Sequence, residues 1–283
     1  MKIFSNAQIA EYYDRTAIHY QRAWDLNNSL ALHYGYWDQQ VQSFSASLQR
    51  MNEVLSEFGE ITKQDLVLDA GCGVGGSLIF MAKNIGCTAR GITLSQAQVE
   101  SATRNATVNG VTSLLHFEKA DFTATPFADD TFDVIWTLES VVHAADKALF
   151  FKEAHRILKK GGRLVMGEYF KSEKPFRNWE NKMLEKWLHA WAVPNLCTLR
   201  EGIEIAQNAG FQKFEHKDVT PHIQPSAWRI FYGSFFMAFL SGLYRIYNPK
   251  VSYFADNHYK ALFFQYPCLK RKLWQYYFFI CVK

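Results

Sequence analysis

Val67-Leu68-Asp69-Ala70-Gly71-Cys72-Gly73-Val74-Gly75-Gly76 is the stretch that decides how this chain folds. The apolar run Leu66 to Leu68 reads as a buried strand, one acid follows, and four of the residues from 71 to 76 are glycine. Ser77 to Ile85 then has helical character. A strand, a glycine turn and a helix start form a cradle, because glycine lets backbone approach a ligand and the helix N-terminus offers unbonded N–H groups. Gly71, Gly73 and Gly76 also satisfy the dinucleotide spacing GxGxxG, so the glycines alone do not choose the ligand. Asp69 chooses. A carboxylate at the strand tip repels a pyrophosphate and suits a cofactor carrying an ammonium and a sulfonium, which is S-adenosylmethionine. A dinucleotide site also wants an acid about 20 residues further on, at the end of the second strand. Here that strand ends Gly91-Ile92-Thr93-Leu94-Ser95, with no acid, which argues against an NAD-dependent oxidoreductase.

From Leu66 onward strand and helix patterns alternate. Strands are predicted near 66–69, 88–92, 114–119, 132–137 and 163–169, a sixth over 211–220, and a last one over 273–282. Helices are predicted near 75–85, 95–108, 146–158 and 198–209, with Gly110 and Gly161-Gly162 closing two of them. Such alternation predicts an α/β fold, a Rossmann-like parallel sheet of seven strands with the last antiparallel and helices on both faces. Ligands then bind beyond the carboxyl ends of the strands. Ahead of this core, Ser5 and Gln8 form a capping-box pattern that opens a helix over 6–24, and Leu48, Met51, Val54, Leu55 and Phe58 mark a second helix. The reading divides the chain into an N-terminal helical cap (1–59), a cofactor-binding core (60–220 with 273–283) and an aromatic helical lid (221–272) over the ligand face.

A net charge of +4 without a clustered basic stripe excludes a nucleic-acid partner. Five cysteines, odd in number, scattered and without a CxxC, point to reduced thiols, a cytoplasmic location and no metal site. No signal-peptide apolar region opens the chain. Ile230 to Tyr244 is uncharged and apolar but too short to span a bilayer. Weak contact with a membrane surface through 228–248, and a homodimer, stay open.

Four groups carry candidate chemistry. Thr93, Leu94 and Gln98 follow the second strand, where a hydroxyl and an amide suit ribose hydroxyls; Thr93 equally serves as a helix N-cap. Asp121-Phe122 follows the third strand, where an acid accepts an adenine amino proton under an aromatic ring; Asp121 equally suits a turn. Glu139 and His143 follow the fourth strand. If that turn is helical they share a face, with His143 as base and Glu139 as the acid that orients it. Tyr13, Tyr20, His33, Tyr34, Tyr36 and Trp37 precede the core, mostly as packing residues, with one tyrosine hydroxyl as an alternative base.

Together these motifs, with Pro126-Phe127 ahead of Phe132-Asp133 and Leu158-Lys159-Lys160-Gly161-Gly162, resemble the class I S-adenosylmethionine-dependent methyltransferases, in the subgroup acting on tocopherols, sterols and sugars. The resemblance covers roughly residues 30 to 220. It implies that Asp69, Gly71, Gly73 and Gly75 hold the methionine and ribose end of the cofactor. Thr93, Leu94 and Gln98 hold the ribose, Asp121 and Phe122 the adenine, and His143 with Glu139 form the base and acid pair. Some relatives carry two adjacent histidines where this chain has Val142-His143. The variable insertion of that family sets acceptor choice, and here it is aromatic. A hydrophobic small-molecule acceptor is therefore expected: an isoprenoid methylated on carbon, or a hydrophobic natural product methylated on nitrogen or oxygen. Its expected contacts are Tyr13, Tyr20, Tyr36, Trp37, Phe231 and Phe235, and a diphosphate head would look to Arg229, Arg245 or Lys260.

Overall fold

The computed structural model describes residues 4–23, 26–247 and 253–283; within them the side chains of 16–23, 27–28, 236–237, 239–247 and 253–260 lie outside the description. Seven strands form one sheet: β1 (Leu66–Ala70), β2 (Thr88–Thr93), β3 (Leu115–Lys119), β4 (Phe132–Leu138), β5 (Leu158–Lys171), β6 (Gln212–Asp218) and β7 (Trp274–Val282). Their order is β3-β2-β1-β4-β5-β7-β6. β1 pairs in parallel with β2 and β4, and β7 runs antiparallel between β5 and β6. This is the predicted sheet. The helices are α1 (Asn6–Ala23), the single turn α2 (Leu26–Ser29), α3 (Phe44–Phe58), α4 (Gly76–Asn84), α5 (Gln96–Val108), α6 (Lys147–Ile157), α7 (Asn178–Ala190), α8 (Leu199–Asn208), α9 (Thr220–Tyr247) and α10 (Tyr253–Lys270).

The local signals act as their chemistry dictates. Ser5 N–H donates to Gln8 Oε1 (3.0 Å) and Gln8 N–H to Ser5 Oγ (3.3 Å), so the capping box opens α1. Thr198 and Glu201 do the same for α8. Gly161-Gly162 does not close a helix. α6 ends at Ile157, and the glycines form a bulge inside β5, where partners of β4 jump from Leu158 to Arg163. Gly161 sits at φ +77°, a left-handed conformation that favours glycine.

α7 answers to no predicted element. Its Glu180 accepts from Arg177 N–H (2.9 Å) to start it, and Leu184, Trp187 and Leu188 are buried along one side. α9 and α10 fill the gap between β6 and β7, where the aromatic insertion was expected. They pack on each other and on α7 and β7. The cofactor face itself is roofed by α1.

Candidate active site

A cavity of about 270 Å³ opens at the carboxyl ends of β1, β2 and β4. It is lined by the glycine turn (Asp69, Gly71, Cys72, Gly73, Val74, Gly76, Ser77), by Thr93, Leu94, Ser95 and Gln98 after β2, and by Asp121 and Phe122 after β3. Glu139, Ser140 and His143 line it after β4, and Phe4, Asn6, Ile9, Ala10 and Tyr13 line it from α1 and the residues before it. The topology explains the convergence. Parallel strands bring several loops to one end of the sheet, and the order reverses between β1 and β4.

The turn after β1 is built for backbone approach. Gly71 lies at φ +114°, and a Cβ there would stand 2.4 Å from Ser140 Cβ. At Gly76 a Cβ would stand 2.1 Å from the carbonyl oxygen of Leu30. Gly75 does not line the cavity; it is the left-handed N-cap of α4 and faces Phe117 and Ala102. Its glycine is required by packing.

Asp69 is 3% exposed, and burial pushes its carboxyl up to about 8. No Lys or Arg among the described residues lines the cavity. A buried carboxyl facing a cavity that supplies no cation fits a ligand that brings one. Thr93 Oγ1 donates to Gln98 Oε1 (2.5 Å), which fixes the Gln98 amide by its oxygen. Ser95, rather than Thr93, caps α5 by accepting from Gln98 N–H (3.2 Å). Asp121 makes the turn expected of it, its Oδ1 accepting from the N–H and hydroxyl of Thr123 (2.8 and 2.7 Å). Its Oδ2 accepts from Asn6 Nδ2 (2.5 Å), so the N-terminal segment reaches the far end of the cavity. Phe122 is fixed edge-on against Phe150.

The turn after β4 is where structure and expectation part. Glu139 sits at φ +56°, and only Val141–His143 form a single 3-10 turn. The helical premise that would pair Glu139 with His143 therefore fails. Glu139 Oε1 instead accepts from Tyr34 N–H (2.7 Å) and from the Tyr276 hydroxyl (2.9 Å). Burial raises its carboxyl well above the usual range, with Glu168 adding like-charge repulsion. Glu168 holds the turn from beneath by accepting from Val142 N–H (3.1 Å).

His143 stands 2.8 Å from the Tyr13 hydroxyl through Nε2 and 3.2 Å from the Ala192 carbonyl oxygen through Nδ1. A carbonyl only accepts, so Nδ1 carries the hydrogen and Nε2 presents a lone pair to the tyrosine hydroxyl. Burial, with Lys147 nearby, lowers its pKa to about 4, so the ring is neutral. A smaller recess behind this dyad is walled by Tyr12, Leu32, Tyr34, Tyr169 and Trp191.

Of the residues expected to touch the acceptor, Tyr13 lines the cavity. Tyr36 does not; it stacks on His222 at 4.2 Å. Trp37 Nε1 donates to Ser226 Oγ (2.9 Å) and joins the loop to α9. Phe231 and Phe235 pack against each other on α9, away from the cavity lining. Phe231 also meets Tyr266 of α10, while Phe235 stays exposed on the outer side of α9. Arg229 lies over the Phe44 ring, while the side chains of Tyr20, Arg245 and Lys260 lie outside the described residues. Asn6, Ser140 and the Tyr276 hydroxyl were not expected. The first and last come from segments far away in sequence, and no local pattern announces them.

Residues 68–166 match the family model described as a methyltransferase domain. The chain is 29% identical over 234 residues to the chloroplastic tocopherol O-methyltransferase of Arabidopsis thaliana, across 77% of this chain and 66% of that protein. It is 37% identical over 147 residues to the 2-methyl-6-phytyl-1,4-hydroquinone methyltransferase of Synechocystis sp., across 51% of this chain and 45% of that protein. The chain thus spans about two thirds or less of the length of these curated relatives. Among solved structures, the [4+2]-cyclase SpnF superposes with a TM-score of 0.80 at 22% identity, covering 100% of this chain and 97% of that one. At that identity the likeness speaks for the fold alone.

Proposed function

Because this chain belongs to the class I S-adenosylmethionine-dependent small-molecule methyltransferases, we propose that it methylates a hydrophobic acceptor that carries a phenolic hydroxyl on an isoprenoid-bearing ring. The observation that carries this reading is the Tyr13 hydroxyl held 2.8 Å from the lone pair of a neutral His143 at the edge of the cavity. When bound, the cofactor supplies an electrophilic methyl group on a sulfonium.

The protein's own part is to bind, to orient and to move one proton. Asp69 would hold the cationic end of the cofactor, and Gly71, Gly73 and Gly76 would let it approach the backbone. Thr93 and Gln98 would hold the ribose, and Phe122 and Asp121 the adenine. An acceptor hydroxyl bonded to Tyr13 Oη passes its proton through Tyr13 to His143 Nε2, leaving a phenolate nucleophilic at oxygen and at the adjacent ring carbons. A histidine depressed to about 4 is a weak base in the empty site. A bound cofactor would supply a positive charge that is consumed on methyl transfer, so a proton taken up by His143 Nε2 would leave the total charge of the buried site unchanged, and burial would oppose that uptake far less. Glu139 holds the Tyr34 loop and β7 against the end of β4 by accepting from both. Its role is positioning rather than orienting the base. The apolar lining excludes water and favours an apolar acceptor.

Both curated relatives named above act, by their names, on prenylated phenol-type molecules, which supports the same acceptor class here. The test is transfer of labelled methyl to a panel of prenylated phenols and hydroquinones, with hydrophobic amines as controls. His143→Ala is expected to lower kcat about 10²- to 10⁴-fold, the range of a lost general base, with cofactor binding kept. Unchanged turnover in that variant, or label found only on amines, would overturn the reading. Cofactor that binds and is never consumed would instead point to a role without methyl transfer.

A further inference from the structure

α9 is apolar on two sides. Ile223, Ala227, Ile230 and Ser234 face inward and are buried. Trp228, Tyr232 and Phe235, spaced i, i+4 and i+7, share the opposite side and are 51%, 54% and 53% exposed. Trp228 and Tyr232 touch at 4.7 Å between ring centroids, and Phe235 reaches Phe263 of α10 at 5.0 Å, so the stripe is continuous across both helices of the insertion. A soluble helix is normally polar on its outer side; one apolar all round asks for a second apolar contact. The only other large aromatic that is exposed among the described residues, Trp179, lies on α7 with Arg271 over its ring.

Charge identifies that contact. Residues 220–272 contain seven Lys or Arg and one acid, Asp256, a net +6 in a chain whose total is +4. The rest of the chain is thus net negative. A second copy meeting this face with its own would set like charge against like. No described helix is long and apolar enough to cross a membrane. Trp and Tyr favour the headgroup depth of a bilayer, where the ring is apolar and its N–H or O–H is wet, and basic residues beside them are drawn to anionic lipid.

We infer that the aromatic stripe of α9, with the net positive charge of residues 220–272, seats this protein on an anionic bilayer surface, with Trp228 and Tyr232 inserted among the headgroups. The seat requires no property of the catalytic cavity.

Flotation of the full chain with phosphatidylcholine vesicles, with and without phosphatidylserine, tests it in the absence of acceptor. Binding is expected to the anionic vesicles, about tenfold or more weaker to the neutral ones, and reduced by added salt. The double substitution Trp228→Ser and Tyr232→Ser is expected to lower vesicle binding about tenfold or more, while affinity for S-adenosylhomocysteine, which reports an intact core, stays the same. An intact core with no vesicle binding, or equal binding by the double variant, overturns the inference. So does self-association through this face, lost in the double variant, without vesicle binding. Because no methyl transfer is measured, these outcomes are separate from any failure of the proposed reaction.

Discussion

Asp69 shows what a single side chain can carry. Burial raises its pKa from about 3.8 to about 8. The folded empty protein therefore binds a proton that the unfolded chain releases between about pH 4 and 8, and linkage makes its stability fall as pH rises through that window. Asp69→Asn removes the effect. Thermal unfolding of the empty variant is expected to depend less on pH between 5 and 8 than that of the parent, while affinity for S-adenosylhomocysteine drops about a hundredfold. An unaltered pH dependence would mean that Asp69 is already paired. His143 pulls the opposite way. Its pKa, lowered from 6.5 to about 4, favours the native state above pH 6.5, and that contribution is lost as pH falls toward 4. Asp69 and His143 were both legible in the sequence, because each follows a recognisable strand and its chemistry is its own. The partners of Glu139 were not. Tyr276 is 137 positions away, and only the completed sheet brings its hydroxyl to that carboxyl.

Elements were legible wherever a local rule acts alone. Alternating strand and helix patterns fixed the sheet, and two capping boxes placed α1 and α8. Gly161-Gly162 misled because a glycine pair serves a helix end and a strand bulge equally well, and only the β4–β5 register decides. α1 was expected as a cap, but its function as the roof was not visible, since that depends on Asn6, Tyr13 and Asp14 reaching Asp121, His143 and Ser95. Among the described side chains, Ile9 and Tyr12 of α1, with Phe4 ahead of it, form a small cluster against Ala192, separate from the two large cores. A cluster that small means a low cost of opening the first turns of α1. Amide hydrogen exchange in α1 is expected to be faster than in α5 of the empty protein and to slow on addition of S-adenosylhomocysteine. Slow exchange in the empty protein would show instead that the roof is rigid. In α10 the Gln265 amide is fully buried, with no hydrogen-bond partner for either polar atom among the described residues. Gln265→Leu is expected to raise stability by about 1–2 kcal/mol in urea unfolding, because it deletes an unmet desolvation cost at nearly constant volume. A loss of that size would show that an ordered water satisfies the amide.

The sheet as a whole depends on a strand delivered from beyond the insertion. β7 lies between β5 and β6, pairs with both, and buries Tyr276, Phe278, Phe279 and Cys281. Without it β6 has no neighbour, β5 becomes an edge, and α9 and α10 lose the strand they pack on. Both large cores also lose members, since Phe279 and Cys281 belong to one and Tyr276 and Phe278 to the other. β7 is therefore not an appendage to a finished domain. A chain ended after Lys272 is expected to lose cooperative unfolding altogether, as a broad urea transition with exposed apolar surface, rather than to remain a folded but inactive core. Tyr276→Phe separates the two contributions of the strand. It leaves the ring packing and removes only the hydroxyl held by Glu139, so it is expected to cost about 1–2 kcal/mol and to keep a single sharp transition. A truncated chain that still unfolds sharply and binds S-adenosylhomocysteine would show that β1 to β5 close a core of their own, and that the antiparallel strand serves only to attach the insertion.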